Sequence, residues 1–191
     1  MPPGAAVGTA WRIRFRYPDG PRDCEAVAVD GDRVLLISKR SVPPVLYELP
    51  LFPTAGADPA EVQRAKRLGT VPGIPPPNER DVARRRFLGR YFAMPDGLDL
   101  SSDGRAAAII TYRDAYVFER DEGESWAAAF ARTPKRLGLP EMDQAEAIVY
   151  DPPGRAIVTT SEGLHPPLYR SEPAARGARR VEGDAGDPEA K

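Results

Sequence analysis

A pattern that recurs three times sets what this chain can fold into. EAVAVDGDRVLLISKRSVPPVLYELP starts at Glu25, DGLDLSSDGRAAAIITYRDAYVFER at Asp96, and EAIVYDPPGRAIVTTSEGLHPPLYR at Glu146. Each opens on an acid and runs through a short apolar strand. Each turns at a polar hairpin ending in Arg and returns through a second apolar strand that ends in a hydroxyl. A third strand then carries a tyrosine: Tyr47, Tyr116 or Tyr169.

The openings stand 71 and 50 residues apart, and residues 71–90 account for most of the longer interval. Antiparallel units repeating every 40 to 50 residues or so are the signature of a β-propeller. A blade buries both faces against its neighbours. That explains continuous apolar runs such as VLLI and AAAII where a one-sided sheet would alternate. The 22 prolines and 17 glycines supply the turns. The expected fold is all-β: a partial propeller of about three four-stranded blades over residues 9–172, with blades near 25–70, 91–137 and 143–170. Fourth strands are expected at Val62–Thr70 and within Ser125–Leu137, and a disordered tail over 173–191.

The strand at 9–17, where Trp11, Ile13, Phe15 and Tyr17 alternate with Arg12, Arg14 and Arg16, lacks a preceding partner. It is expected to complete the third blade, which has no fourth strand of its own. Its arginine row reads as a solvated strand face before it reads as a phosphate stripe. Three blades fall short of the usual four to eight. Either the chain is a piece of a longer propeller or two chains associate. In the 71–90 insertion, Asn78 and Asp81 predict the start of a short helix. The Arg84–Arg86 run there reads as a solvated rim.

Charge and composition exclude several function classes. With 27 basic and 28 acidic residues, nothing global favours nucleic acid or a membrane. No stretch approaches a membrane span, and the N-terminus lacks a signal peptide, so the chain as written reads as cytoplasmic, or exported if the natural N-terminus is longer. Cys24 is the single cysteine and His165 the single histidine, so no cysteine–histidine zinc site can form. Ser161 precedes His165 by four residues, but TTSEG is not a nucleophile elbow. His165 reads as a loop residue before Pro166-Pro167.

In a propeller the first residues of each innermost strand face the channel mouth. Here they are Glu25, Asp96 or Asp99, and Glu146. Three acids at one mouth repel unless paired or metal-bound. Lys39 and Arg113 end second strands, with Glu162 beside the third equivalent. Two readings stay open: an ion-pair ring of Glu25, Lys39, Asp96, Asp99, Arg113, Glu146 and Glu162, or a site for a small polar ligand or a hard cation such as Ca²⁺ on Glu25 and Glu146. The tyrosines read as blade packing.

The segments RFRYPDGPRDCEAVAVD, LLISKR, ITYRDAYVFER, QAEAIVYD, TTSEG and PLYR resemble a group of uncharacterised bacterial β-propeller proteins. That group is loosely related to esterase-like phytase and six-bladed lactonase-type propellers. The resemblance covers most of residues 11–170 and implies at least one further blade on the N-terminal side. The residues themselves read as a binding or scaffold module for a small polar ligand, a cation or a protein partner; the resemblance assigns no chemistry. The alternative it carries is a metal-dependent esterase, lactonase or phytase-like hydrolase, by fold analogy alone.

Overall fold

A computed structural model describes residues 8–52, 58, 61–84, 87–140, 142, 144–154 and 156–172. The expected tail at 173–191 lies outside the described residues, as do the side chains of the Arg84–Arg86 run. The lead-in strand is short: β1 covers Arg14–Arg16. The first blade follows with β2 (Cys24–Asp30), β3 (Arg33–Ser38) and β4 (Val45–Pro50). The chain then forms β5 (Val62–Arg64) and β6 (Lys66–Thr70). After helix α1 (Glu79–Arg84) and a 3-10 turn at Gly89–Tyr91, the second blade begins with β7 (Gly97–Leu100), β8 (Ala106–Ile110) and β9 (Asp114–Glu119). Helix α2 (Trp126–Ala131) precedes its outer strand β10 (Lys135–Gly138). The third blade holds β11 (Ala145–Tyr150), β12 (Ile157–Ser161) and β13 (Tyr169–Ser171).

The three sheets run β2-β3-β4-β6, β7-β8-β9-β10 and β11-β12-β13, all antiparallel, each stepping outward in chain order. The innermost strands β2, β7 and β11 pack side by side, with β7 in the middle. This is a partial β-propeller.

The repeat explains its own geometry. At the hairpins, Ser101 Oγ accepts from Ala106 N–H at 2.9 Å and Asp151 Oδ1 accepts from Ala156 N–H at 2.9 Å. The hydroxyls that end the second strands bind the turn leading to the third. Ser38 Oγ accepts from Val45 N–H at 2.8 Å, and Thr111 Oγ1 from Asp114 N–H at 3.0 Å. Tyr47 and Tyr116 are fully buried, as third-strand packing requires.

Asn78 and Asp81 cap α1 reciprocally: Asp81 N–H donates to Asn78 Oδ1 at 3.0 Å, and Asn78 N–H to Asp81 Oδ2 at 2.8 Å.

Three expectations need correction. β1 does not complete the third blade. It pairs in parallel with β5, and Ile13 and Tyr17 beside it cover the outer part of the first blade, over Leu36, Val45, Tyr47, Leu49 and Ala65. Residues 62–70 are two strands, split at Ala65, which is buried and donates to Arg16 O at 2.9 Å. Residues 126–131 are helical, because Ser125 Oγ caps Ala128 N–H at 3.2 Å and Trp126, Ala129 and Phe130 form one buried stripe.

That helix has a clear task. Blades one and two meet at their inner strands and diverge outward, leaving a wedge at the periphery. Between blades one and two, Trp126 and Phe130 fill it. Phe130 meets Phe118 edge-on at 5.0 Å, and Trp126 Nε1 donates to Asp30 Oδ2 at 2.8 Å. The largest buried cluster lies here, joining Leu35, Ile37 and Leu46 of blade one to Ile109, Tyr116 and Phe118 of blade two. A smaller cluster of Ala108, Ile110, Ala145, Ile148 and Ile157 joins blades two and three.

Candidate functional site at the channel mouth

The acids that open the repeats are aimed by the backbone. The β2–β3 register slips between Cys24 and Ala26, and the β11–β12 register slips between Ala145 and Ala147. Both bulges fall on the acid, Glu25 and Glu146. A bulge re-aims one side chain out of the alternation of its strand. Asp96 stands at the same point, directly before β7, and its N–H donates to Ile110 O at 2.9 Å.

Register also fixes which second-strand residues lie opposite. Ala26 faces Ile37, Gly97 faces Ile110 and Ala147 faces Thr160. Two residues beyond these stand Lys39, Tyr112 and Glu162. The match of Lys39 in blade two is therefore Tyr112 rather than Arg113.

Lys39 Nζ forms ion pairs with Glu25 Oε2 of its own blade and Asp96 Oδ1 of the next. Its ammonium lies 5.2 Å from the centroid of the Tyr112 ring. Tyr112 OH donates in turn to Glu146 Oε1 at 3.1 Å, from blade two to blade three. The pattern repeats: the residue after the second strand reaches forward to the acid that opens the next blade. In blade three, Gln144 Nε2 donates to Glu162 Oε2 at 2.6 Å.

Thus the structure brings Glu25, Lys39, Asp96, Glu146 and Glu162 into one linked cluster and places Asp99 and Arg113 elsewhere. Asp99 Oδ2 accepts from Tyr150 N–H at 2.7 Å, further along the blade two–three contact. Arg113 pairs with Asp81 of α1 and with Asp114 Oδ2 at 3.0 Å. Tyr112 is the member that sequence reasoning missed. Its signal was a position count from the apolar strand, which outweighs the shared positive charge of Lys39 and Arg113.

The electrostatics follow from burial. The Asp96 side chain is fully buried, and its Oδ2 has no hydrogen-bond partner. Burial first, and then the neighbouring Glu25, push its carboxyl up from 3.8 to about 8, against the pull of Lys39. Burial opposes the charge on Lys39, but Asp96 and Glu25 overcome it and hold the ammonium above the ordinary lysine range. Burial also raises Glu25, and Lys39 more than offsets this, leaving it below the usual carboxylate range. Tyr112 is pushed up to about 12 by burial and by Asp96. Glu146 is raised by burial and by Glu162, although Tyr112 donates to it.

A pH dependence follows. The folded chain keeps a proton on Asp96 between 3.8 and about 8, where the unfolded chain has lost it. The native state binds more protons there, so this group makes stability fall as pH rises through that window. Glu25, shifted the other way, loses stability as pH falls through its own titration. Urea unfolding at intervals across the window is expected to show the Asp96 slope, and Asp96→Asn to flatten it. An unchanged slope in the variant would contradict the assignment.

Among the described residues, no three His, Cys, Asp or Glu side chains converge as a metal ion needs. Glu25 is engaged by Lys39, and Glu146 by Tyr112. No helix among the described residues is long and apolar enough to cross a membrane.

No family model matches the chain, and no curated protein matches it. Solved structures do resemble it at low identity. A chain of a nidogen/laminin complex shares 15% identity at a TM-score of 0.46, covering 79% of this chain and 44% of that one. TolB from Acinetobacter baumannii shares 16% at 0.42, covering 79% and 30%. The PQQ-bound aldose sugar dehydrogenase from Streptomyces coelicolor shares 18% at 0.43, covering 74% and 38%. All three are β-propeller-type folds, and this chain spans less than half the length of each.

Proposed function

We propose that the chain is a propeller binding module whose channel mouth recognises a small polar ligand through an ammonium or guanidinium group. One observation carries this. In blade one an ammonium, that of Lys39, lies between two acids, Glu25 and Asp96. Blade three presents two neighbouring acids, Glu146 and Glu162; among the described residues no cation forms an ion pair with either, Lys39 acts on Glu146 only from a distance, and Tyr112 and Gln144 donate to them. A ligand cation placed there completes the pattern that Lys39 sets.

An organic cation suits the geometry better than Ca²⁺, which takes six to eight oxygens. The metal-dependent hydrolase that the family resemblance suggests would require Glu25 to leave Lys39 and Glu146 to leave Tyr112. Membership of that bacterial family belongs to the same proposal and adds no residue-level chemistry to it.

Calorimetric titration with agmatine tests the reading. Saturable binding is expected, lost on Glu146→Gln or Glu162→Gln and absent for a neutral alcohol of equal length. Equal agmatine binding by the variants, or a melting temperature raised by Ca²⁺ and not by agmatine, would overturn it.

A further inference from the structure

We infer that two copies of this chain close into one six-bladed ring, the third blade of each seated on the first blade of the other. The blade faces carry this inference, and it stands whether or not the mouth binds an amine.

The repeats alternate by one rule. At the inner strand of each blade, the first side chain after the acid faces the next blade, and the one after that faces the previous blade. Ala26 and Ala28 pack toward Leu98 in the cluster joining blades one and two. Gly97 lies against blade three, where an added Cβ would meet Ile148 Cγ2 at 3.5 Å and Glu146 O at 3.1 Å. Small residues (Ala26, Gly97) thus receive large ones (Leu98, Ile148) from the following blade. The level is fixed by Asp99, which accepts from Tyr150 N–H across the same contact at 2.7 Å.

The two ends of the stack carry the two unused halves of this contact. Blade three presents Ala147 and Val149 as its next-facing pair, with Val158 and Thr160 beside them on β12. Blade one presents Val27 and Val29 as its previous-facing pair. Val27 is 45% exposed, while its counterparts Leu98 and Ile148 inside the stack are buried; Val149 is 46% exposed, while its counterpart Ala28 is buried; Val29 is 52% exposed, while its counterparts Leu100 and Tyr150 are half-buried. The rule sets Ala147 against Val27 and Val149 against Val29 of a second copy.

The outer half of the blade-one face is already prepared. Ile13 and Tyr17 cover its middle and outer strands, as Trp126 and Phe130 fill the wedge between blades one and two. Among the described residues the inner strand stays open at Val27 and Val29, and inner strands are where neighbouring blades meet inside the stack. At the rim, Glu162 comes toward the second copy's Glu25, whose charge Lys39 covers. One two-fold axis generates both junctions, so these two faces cover each other.

Light scattering on the full chain at micromolar concentration is expected to give twice the 20.8 kDa chain mass. Val29→Lys and Val149→Glu each place a charge on an exposed site, so the fold persists by circular dichroism while the mass halves. Both changes in one chain set opposite charges across each junction and return the doubled mass. A wild-type mass of one chain, a mass above two chains, or single variants that stay paired would each overturn the inference.

Discussion

Above about pH 8, where the raised Asp96 carboxyl is ionised, replacing Lys39 with alanine is expected to lower the unfolding free energy by about 3–5 kcal/mol, the range for breaking a buried ion pair from one side. The Lys39 side chain is 7% exposed and that of Asp96 is 0% exposed. Without the ammonium, the buried Asp96 carboxylate is left beside Glu25 with no counter-charge. For a chain of this length the loss corresponds to roughly 10 °C in melting temperature. Lys39→Met should cost less, since it keeps the packing of the stem and removes only the charge. The Glu25 side chain is 45% exposed, so Glu25→Gln is expected to cost far less than Lys39→Ala. Differential scanning calorimetry of the three variants measures this order. A Glu25 variant as damaged as the Lys39 variant would contradict it.

Phe130→Ala is expected to cost a similar amount, about 3–5 kcal/mol, for a different reason. Phe130 is fully buried in the wedge between blades one and two, edge-on to Phe118 at 5.0 Å and 5.4 Å from the Trp126 ring. Its removal leaves a cavity at a contact between two rigid sheets, which can collapse only by moving the blades together. Phe87, at 81% exposure, is the control, and Phe87→Ala should change stability by less than about 0.5 kcal/mol. Chemical denaturation of the two variants decides the matter. A small loss at Phe130 would mean that α2 lies over the blades without filling the gap between them.

Much of the fold was legible because the repeat writes the same physics three times. The hydroxyls at Ser38 and Thr111 mark the turns they bind, and Tyr47 and Tyr116 mark third strands by their burial. What was not legible involved partners distant in sequence. The alternation around Phe15 announces a strand but not its neighbour, and β1 finds β5 in parallel, a pairing no local signal encodes. Helix α2 replaces the expected strand, and its signs are in the sequence: a serine cap at Ser125 and apolar residues at 126, 129 and 130. The rhythm of the blades argued for a strand there, and the cap with its 3.6-residue spacing prevailed.

At the mouth, the three opening acids could be placed from the sequence because each stands one residue before an apolar strand. Their partners could not be matched by charge. Lys39 and Arg113 look alike, but Arg113 stands one position further from its strand and turns to Asp81 and Asp114. Tyr112 takes the forward-reaching place instead, and a phenol can reach an acid as an ammonium does. Position in the ladder, set by backbone pairing, decides which side chain faces the channel; residue type decides only what it does there.

The Lys39 and Tyr112 contacts join one blade to the next. A double-mutant cycle on Lys39→Met and Asp96→Asn tests it most directly, because the two residues belong to different blades. A coupling energy of roughly 1–3 kcal/mol is predicted, with the double variant more stable than the sum of the single losses implies. Additivity within about 0.5 kcal/mol would contradict the claim.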